Sequence, residues 1–391
     1  MFPISDLSPQ EAEALFRYTV SENPETGEQF VTITAPIRGD SPAMDINFPE
    51  AIGGIPVTTL KVNQYLGYSP EHIRIPKTVT NIELSGGFPH VSGMIEIDPE
   101  NPAYETDGFS LIAKQNHKLL LLCKEVGTYA VPDGVEILGY NAFKFMPLRE
   151  IYLPDTVRVV DSGAFAYCST LEKLTGGLGL TEYSPSSFKD TAWFQKSKSL
   201  VLGKILVRQE INTSHIVIPE GVELIGPNAL KADYDNRGLL EKLTLPSTLR
   251  QIGEGAISGH INLEEVTLPQ ELESIGFSAF DRCEGLKELT IPASVKTVGA
   301  FAFSYCKELK TVHLEGVFSG KKQRSILTED GEGVLSAGLF SGCISLKEIR
   351  IPEGFRVIGD SAFKGSGLSS AEIPDSVTEI CSSAFEECFL L

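Results

Sequence analysis

One phrase recurs about ten times along this 391-residue chain: Leu-x-x-Leu-x-Leu-Pro, followed by Val-x-x-Ile-Gly-x-x-Ala-Phe-x-x-Cys. The leading leucines of four consecutive copies, Leu240, Leu263, Leu286 and Leu309, are each 23 residues apart. A strict period of this length is the sequence signature of stacked repeats. The sequence therefore predicts a β-rich repeat solenoid, in which every coil of about 23 residues packs on its two neighbours.

Each half of the phrase predicts one short strand per coil. The last two leucine-type residues of the first half are two positions apart and so point to the same face, and the proline ends the strand because it has no N–H. The Val-x-x-Ile-Gly half predicts a second short apolar stretch in the core, and we expect parallel strands to stack at ~4.8 Å per coil. The glycine of that half predicts a tight turn or a positive φ at Gly139, Gly226, Gly253, Gly276, Gly299 and Gly359.

The repeat spacing also predicts the domain organisation. Residues 1–45 are interpreted as a small N-terminal α/β cap, with a helix that starts at the capping box of Ser8, Pro9 and Glu11 and a strand at 30–34. Residues 46–391 are interpreted as the solenoid. Leu309 and Leu346 are 37 residues apart, one period plus 14, which predicts an inserted loop at 315–337. Two other long intervals, 98–128 and 189–214, predict additional hairpin-like strands.

These motifs resemble the BspA-like leucine-rich repeat family over about residues 46–391. The segments Gly53–Val57 and Asp98–Tyr104 are also similar to segments common in that family, whereas the proline stands where ordinary leucine-rich repeats carry Asn or Cys. The resemblance implies a leucine-rich-repeat superhelix and a cell-surface or secreted protein linked to adhesion and protein binding. The first 16 residues lack the basic and apolar segments of a secretory signal, so the compartment stays open.

Composition narrows the classes of partner. Acidic residues outnumber basic ones by 52 to 33, and the net charge of −19 disfavours binding to nucleic acid and to anionic membranes. No apolar run approaches the ~18 residues of a membrane span, so membrane insertion is not expected. The expected partner is a protein or a peptide.

The sequence predicts no catalytic, cofactor-binding or metal-binding residues. The six histidines show no His-x-x-x-His spacing, and Cys-x-x-Cys, Gly-x-Ser-x-Gly and P-loop motifs are missing from the chain. Non-enzymatic binding is therefore the main hypothesis, and a hydrolase built from residues of distant coils is a weaker alternative.

The candidate partner-binding residues are the outward-facing positions of the strands. Period 2 places one row of side chains on the exposed face of the predicted concave sheet, and its alternative explanation is that β-branched threonine simply suits an exposed strand. The inserted loop adds a basic cluster, which could equally be a tolerated surface loop. The predicted contact residues are Tyr152, Thr244, Thr267, Thr290, His313 and Arg350 from the row, and Lys321, Lys322 and Arg324 from the loop.

Four further features leave alternatives open. A glycan-binding surface protein is the second function considered, and aromatic pairs would favour it. Arg38-Gly39-Asp40 resembles an integrin-binding segment but is also ordinary turn chemistry. The cysteines that follow Ala-Phe are interpreted as buried free thiols, with a Cys283–Cys306 disulfide as the alternative. The apolar last coil, which ends at Leu391, predicts dimerisation through that end or a longer gene product.

Overall fold

A computed structural model of the protein describes residues 6–36, 45–63, 70–85, 94–321 and 331–391. They fall into two compact units, Met1–Lys196 and Ser197–Leu391, which are described separately. The division of the chain at residues 45 and 46, and the limits of the 315–337 insertion, stay predictions.

The first unit contains two short α-helices, one 3₁₀ turn at Lys114–Asn116 and seventeen named strands among its described residues. Its elements are α1 Pro9–Leu15, β1 Phe16–Glu22, β2 Gln29–Pro36, β3 Ile46–Asn47, β4 Ala51–Ile52, β5 Ile55–Asn63, β6 His72–Ile75, β7 Asn81–Ser85, β8 Met94–Ile97, β9 Tyr104–Glu105, β10 Ser110–Ala113, β11 Lys118–Leu122, β12 Thr128–Ala130, β13 Ile137–Leu138, β14 Glu150–Leu153, β15 Val159–Val160, β16 Lys173–Gly176, β17 Glu182–Tyr183 and α2 Ala192–Lys196.

The second unit consists of strands and turns throughout its described residues. Its strands are β18 Ser199–Leu202, β19 Ile205–Gln209, β20 His215–Val217, β21 Leu224–Ile225, β22 Lys242–Thr244, β23 Gln251–Ile252, β24 Glu265–Val266, β25 Ser274–Ile275, β26 Glu288–Ile291, β27 Thr297–Val298, β28 Thr311–Leu314, β29 Ser319–Gly320, β30 Val334–Leu335, β31 Glu348–Arg350, β32 Val357–Ile358, β33 Ser370–Glu372 and β34 Glu379–Ile380.

The two halves of the repeated phrase form two separate parallel ladders in each unit. In the second unit, the first half supplies β20, β22 and β24, and the second half supplies β21, β23, β25 and β27. Gln251 pairs with Ser274, and Ser274 pairs with Thr297, so the register advances by the 23 residues of the repeat. In the first unit, β12, β14 and β16 form one parallel ladder and β11, β13, β15 and β17 form the other. The predicted solenoid of stacked parallel strands is confirmed.

The chain start and the two long intervals adopt the predicted local structures. The side chain of Ser8 caps α1 and Glu11 completes the capping box. The following strand β1, which the sequence analysis missed, pairs antiparallel with β2, and β2 continues in parallel with β5. The intervals 98–128 and 189–214 hold the antiparallel pairs β10–β11 and β18–β19, as predicted.

The Ala-Phe half of the phrase fills the core with stacked rings. In the second unit, the Phe280 and Phe303 ring centroids are 5.2 Å apart with planes 12° from parallel, and Phe340 continues the stack 6.1 Å from Phe303. All three side chains are fully buried. Because Phe303 contacts the rings of both neighbouring coils, this buried position links the packing of successive repeats.

The cysteine three residues after each phenylalanine closes a hydrogen bond between coils. The Sγ atom of Cys283 donates to the Ile257 carbonyl oxygen at 3.3 Å, and Cys343 donates to that of Phe303 at the same distance. All seven cysteines are free thiols, and four of the five at this repeat position are buried. These thiols are packing residues, as the sequence analysis preferred, and the alternative Cys283–Cys306 disulfide is not formed.

The glycine after Val-x-x-Ile begins a tight turn, which is one of the two alternatives predicted for it. The Ala279 N–H donates to the Gly276 carbonyl oxygen at 3.3 Å, and the Ala142 N–H donates to that of Gly139 at 3.1 Å. The other alternative, a positive φ, is wrong. The φ of this glycine is not positive in any of the predicted copies, all of which the structure describes. A Cβ at Gly299 would lie 2.4 Å from the backbone nitrogen of Phe277, and one at Gly276 would lie 2.6 Å from the carbonyl carbon of Gly253. The coils approach each other too closely here for a side chain, and this close approach explains the glycine.

Positive φ occurs instead at other positions of the coil, two of which include residues other than glycine. One is the residue before Ala-Phe and the other is the residue before Cys. The first position holds Asn141, Gly163, Asn228, Gly255, Ser278, Phe301, Gly338, Ser361 and Ser383, and the second holds Phe145, Tyr167, Gly259, Arg282, Tyr305, Gly342, Gly365 and Glu387. Bulky residues adopt this left-handed conformation at a cost of roughly 1 kcal/mol each.

His260 occupies the cysteine position of its coil and makes a pH-sensitive contact. Its ring is fully buried, Nε2 hydrogen-bonds to the Leu230 carbonyl oxygen at 2.6 Å, and Nδ1 has no hydrogen-bond partner among the described residues. Burial lowers the pKa of His260 below the ordinary value of 6.5, so the native state holds the ring neutral.

We expect acid to destabilise the protein through His260. The unfolded chain takes up the His260 proton near pH 6.5, whereas the native state takes it up only at a lower pH. The free energy of unfolding therefore falls as the pH drops from about 7 through 6.5 towards the lowered native pKa. The substitution His260→Cys should reduce this pH dependence. The control substitution His313→Gln, at an exposed histidine, should leave it unchanged. Urea unfolding followed by circular dichroism at pH 7 and pH 5 measures the difference. An equal loss in wild type and His260→Cys would contradict the prediction.

Candidate partner-binding surface

The predicted row of side chains lies on the exposed face of the first ladder in the second unit. Three threonines are exposed: Thr244 on β22, Thr267 directly after β24 and Thr290 on β26. The residue directly before each threonine is buried in the core. The structure therefore brings these three predicted residues onto one face, in successive coils.

A groove runs along this face. One part has a volume of about 580 Å³ and is lined by residues within 264–270 and 287–290. The other part has a volume of about 490 Å³ and extends to Glu220 and to residues within 242–247. Thr267 and Gln270 line both parts. The groove crosses an interruption of the ladder, since β24 ends one three-stranded sheet and β26 begins a separate two-stranded one.

Ion pairs between neighbouring coils neutralise most charges around the groove. Lys242 Nζ is 2.9 Å from Glu265 Oε2, and Lys287 Nζ is 2.6 Å from Glu264 Oε2. Glu288, which also lines the groove, is exposed and forms no ion pair with a described residue. Glu220, at the other end of the groove, accepts hydrogen bonds from the backbone N–H and hydroxyl group of Ser247. The groove consequently presents threonine hydroxyl groups beside Glu288, a carboxylate with neither an ion pair nor a hydrogen bond to a described residue.

The other predicted row residues lie elsewhere on the ladders. Tyr152 on β14 of the first unit is 49% exposed, and its ring lies over Gly176 of the next coil. In the second unit, His313 on β28 is exposed directly opposite Thr290. Arg350 on β31 is exposed and forms an ion pair of 3.4 Å with Glu372 of the following coil.

The predicted basic cluster and the Arg-Gly-Asp segment are largely outside the described residues. Lys321 follows β29 and is half-buried, whereas Lys322 and Arg324 fall in the interval 322–330 that the structure does not describe. Arg38, Gly39 and Asp40 likewise fall in the undescribed interval 37–44. Their proposed roles stay predictions.

An exposed aromatic pair was missed by the sequence analysis. The Phe145 and Tyr167 rings of the first unit stack with centroids 4.8 Å apart, and Lys144 Nζ lies 5.2 Å from the centroid of the Phe145 ring. Both aromatic residues occupy the left-handed position before the cysteine position, where several other coils have glycine. An alignment of the coils by their repeat shows that Phe145 and Tyr167 replace the glycine of those other coils, and this replacement could have indicated the pair.

The buried thiols have no nucleophilic character. Burial raises the pKa of Cys283 and of Cys343 to about 12, so both thiols stay protonated at neutral pH.

Among the helices that the structure describes, none has the length and apolarity required to cross a membrane.

Several solved structures are similar to the chain at low sequence identity. A leucine-rich cell surface protein from Faecalibacterium prausnitzii is 23% identical, with 74% of this chain and 93% of that chain covered and a TM-score of 0.29. A leucine-rich repeat protein from Bacteroides ovatus is 20% identical over 96% and 91% of the two chains, with a TM-score of 0.35. The pneumococcal vaccine antigen PcpA is 19% identical over 94% and 92%, with a TM-score of 0.36.

The sequence comparisons identify the repeat itself. No curated protein matches the chain. The model of the BspA type leucine rich repeat region matches in six copies, over residues 121–199, 231–319 and 315–391, which together make up more than half of the sequence. The period of 23 residues, the two parallel ladders and this match agree, and the chain belongs to the BspA-type leucine-rich repeat family.

Proposed function

We propose that this protein is a non-enzymatic binding or adhesion module that recognises a protein segment in the groove across β22, β24 and β26. The observation that carries the proposal is the position of Thr244, Thr267 and Thr290, which are exposed along one groove in three successive coils. Hydroxyl groups at regular spacing can donate and accept hydrogen bonds along an extended peptide.

The charge of the groove defines the chemistry of the partner. Glu288 offers a carboxylate without an ion pair among the described residues, and the net charge of −19 attracts cations to the whole chain. A segment with Lys or Arg beside small polar residues fits both features. Salt screens the attraction between exposed charges, over about 8 Å at physiological ionic strength. Removal of the Glu288 carboxylate should therefore reduce the affinity for the peptide mainly at low salt.

The test is a selection of random dodecapeptides on the immobilised full chain. We expect enriched peptides to carry Lys or Arg and to bind Thr267→Arg at least tenfold more weakly, because the new side chain fills the middle of the groove and repels a basic segment. Gln251→Arg is the matched control, since Gln251 is exposed in the preceding coil and lies on β23 of the other ladder. Peptides that bind Thr267→Arg as tightly as wild type, or a selection without enrichment, would reject the proposal.

The glycan-binding alternative is supported less well by the same surface. Sugar recognition commonly uses aromatic faces, and among the predicted row residues Tyr152 is the one tyrosine. The exposed Phe145–Tyr167 pair offers aromatic surface, but at 4.8 Å each ring covers a face of the other. A peptide segment is therefore the better match.

A further inference from the structure

A histidine and two carboxylates converge at the edge of β3 and β6 in the first unit, whereas the residues of the proposed peptide groove belong to the second unit. β3 and β6 pair in parallel with Ile46 opposite Ile73, so Asp45, which precedes β3, lies beside His72, which begins β6. Glu71 adjoins His72 in sequence. One potential ligand atom from each of Asp45, Glu71 and His72 lies within 4.8 Å of the others.

Both ring nitrogens of His72 face carboxylates at distances that exceed a hydrogen bond. Nε2 is 3.9 Å from Glu71 Oε1, and Nδ1 is 4.0 Å from Glu96 Oε1. The Nδ1 atom is buried and has no hydrogen-bond partner in the part of the chain that the structure describes. Two ligands that are each ~2.0–2.2 Å from one ion can be up to about 4.3 Å apart, so 3.9 Å fits a shared metal ion.

Arg74 orients the surrounding carboxylates. Its Nε donates to Glu96 Oε2 at 2.8 Å, and its Nη1 lies 3.2 Å from Asp45 Oδ2 and 2.8 Å from Asn47 Oδ1. Glu96 is thereby held 4.0 Å from Nδ1, on the side of the ring from which a carboxylate can orient a metal-binding histidine. Nε2 faces Glu71 Oε1 at 3.9 Å, and a cation between these two atoms could be coordinated by both.

We infer that Asp45, Glu71 and His72 bind one divalent transition-metal ion, with His72 Nε2 and the two carboxylates as ligands and Glu96 as the residue that orients the ring. Imidazole together with carboxylate oxygens is a donor set suited to Zn²⁺. The three acidic residues exceed the single guanidinium of Arg74 in charge, so a dication also balances the cluster. The ligands come from two coils, and the ion would join these coils at the start of the first unit.

Titration of the chelator-treated full chain with Zn²⁺ by isothermal calorimetry tests this inference. We expect one saturable site, weakened at least tenfold by His72→Gln and by Glu71→Gln, and about tenfold by Glu96→Gln although Glu96 does not touch the ion. His313→Gln, an exposed histidine of the second unit, is the matched control and should leave the affinity unchanged. Co²⁺ should give visible absorption bands that His72→Gln abolishes.

The exposed Glu71 makes the test independent of folding. Its side chain is 61% exposed, so Glu71→Gln should keep the circular dichroism spectrum and the unfolding midpoint of the metal-free protein. The inference would be wrong if the metal-free protein showed no saturable Zn²⁺ binding. It would also be wrong if Zn²⁺ bound His72→Gln and Glu71→Gln as tightly as wild type.

Discussion

Gly299→Ala is expected to destabilise the protein by about 3 kcal/mol, because the coils leave no space for one methyl group. The new Cβ would lie 2.4 Å from the Phe277 nitrogen and 2.7 Å from the Phe277 Cα. These are backbone atoms, which cannot rotate away as the end of a side chain could, so the two coils must separate. Urea unfolding followed by circular dichroism measures the loss, and hydrogen exchange should increase in the segments around Phe277 and Gly299.

Gly127→Ala is the matched control for this steric effect. Gly127 is exposed, its φ is not positive, and a Cβ there meets no atom within 4 Å. We expect this substitution to be neutral or to stabilise by up to about 1 kcal/mol, because alanine reduces the entropy of the unfolded chain. A similar loss for both variants would show that general glycine preferences, and not the contact between coils, determine the effect.

Phe303→Ala is expected to cost ~3–5 kcal/mol, since it removes the central ring of a buried stack. Phe303 contacts the rings of Phe280 and Phe340 in the neighbouring coils and is fully buried. Phe303→Leu should cost less, because leucine and isoleucine already fill this repeat position at Leu230 and Ile257. Chemical denaturation of wild type, Phe303→Leu and Phe303→Ala should give free energies of unfolding that decrease in this order.

The exposed Phe389 provides the control for the stack. Its side chain is 89% exposed, and Phe389→Ala should change the free energy of unfolding by less than about 0.5 kcal/mol. If Phe303→Ala unfolds the chain completely at room temperature, the leucine variant still reports the stack. Equal midpoints for Phe303→Leu and wild type would contradict a role of ring stacking in stability.

The inward-facing residues of the repeat were predictable because each coil repeats the same packing problem. Leucine at alternate positions, the proline after the strand and the Ala-Phe pair all follow from strand period and core filling. The tight turn at the glycine after Val-x-x-Ile was predicted, but the close approach of the coils was not, since an isolated sequence does not show how near Phe277 comes to Gly299. The left-handed positions were missed because Phe145 and Tyr167 conceal the preference for glycine and asparagine.

The candidate sites were predictable to different extents. The row of Thr244, Thr267 and Thr290 follows from the period alone, whereas the unpaired charge of Glu288 depends on which lysines reach which glutamates. The cluster of Asp45 and His72 was missed, and the sequence analysis predicted no metal ligands. These two residues are 27 positions apart in the first coils, where the repeated phrase is weak, and the parallel register of β3 and β6 brings them together.

The ion pairs between neighbouring coils bear on how such a chain can change length during evolution. Lys242 pairs with Glu265, and the same position of the next coil again holds an acid, Glu288. Removal of residues 263–285, one complete 23-residue repeat, would place Lys242 opposite Glu288 and Lys287 beside Glu241. Unequal recombination between repeats could therefore remove this coil while the new junction keeps two pairs of opposite charges.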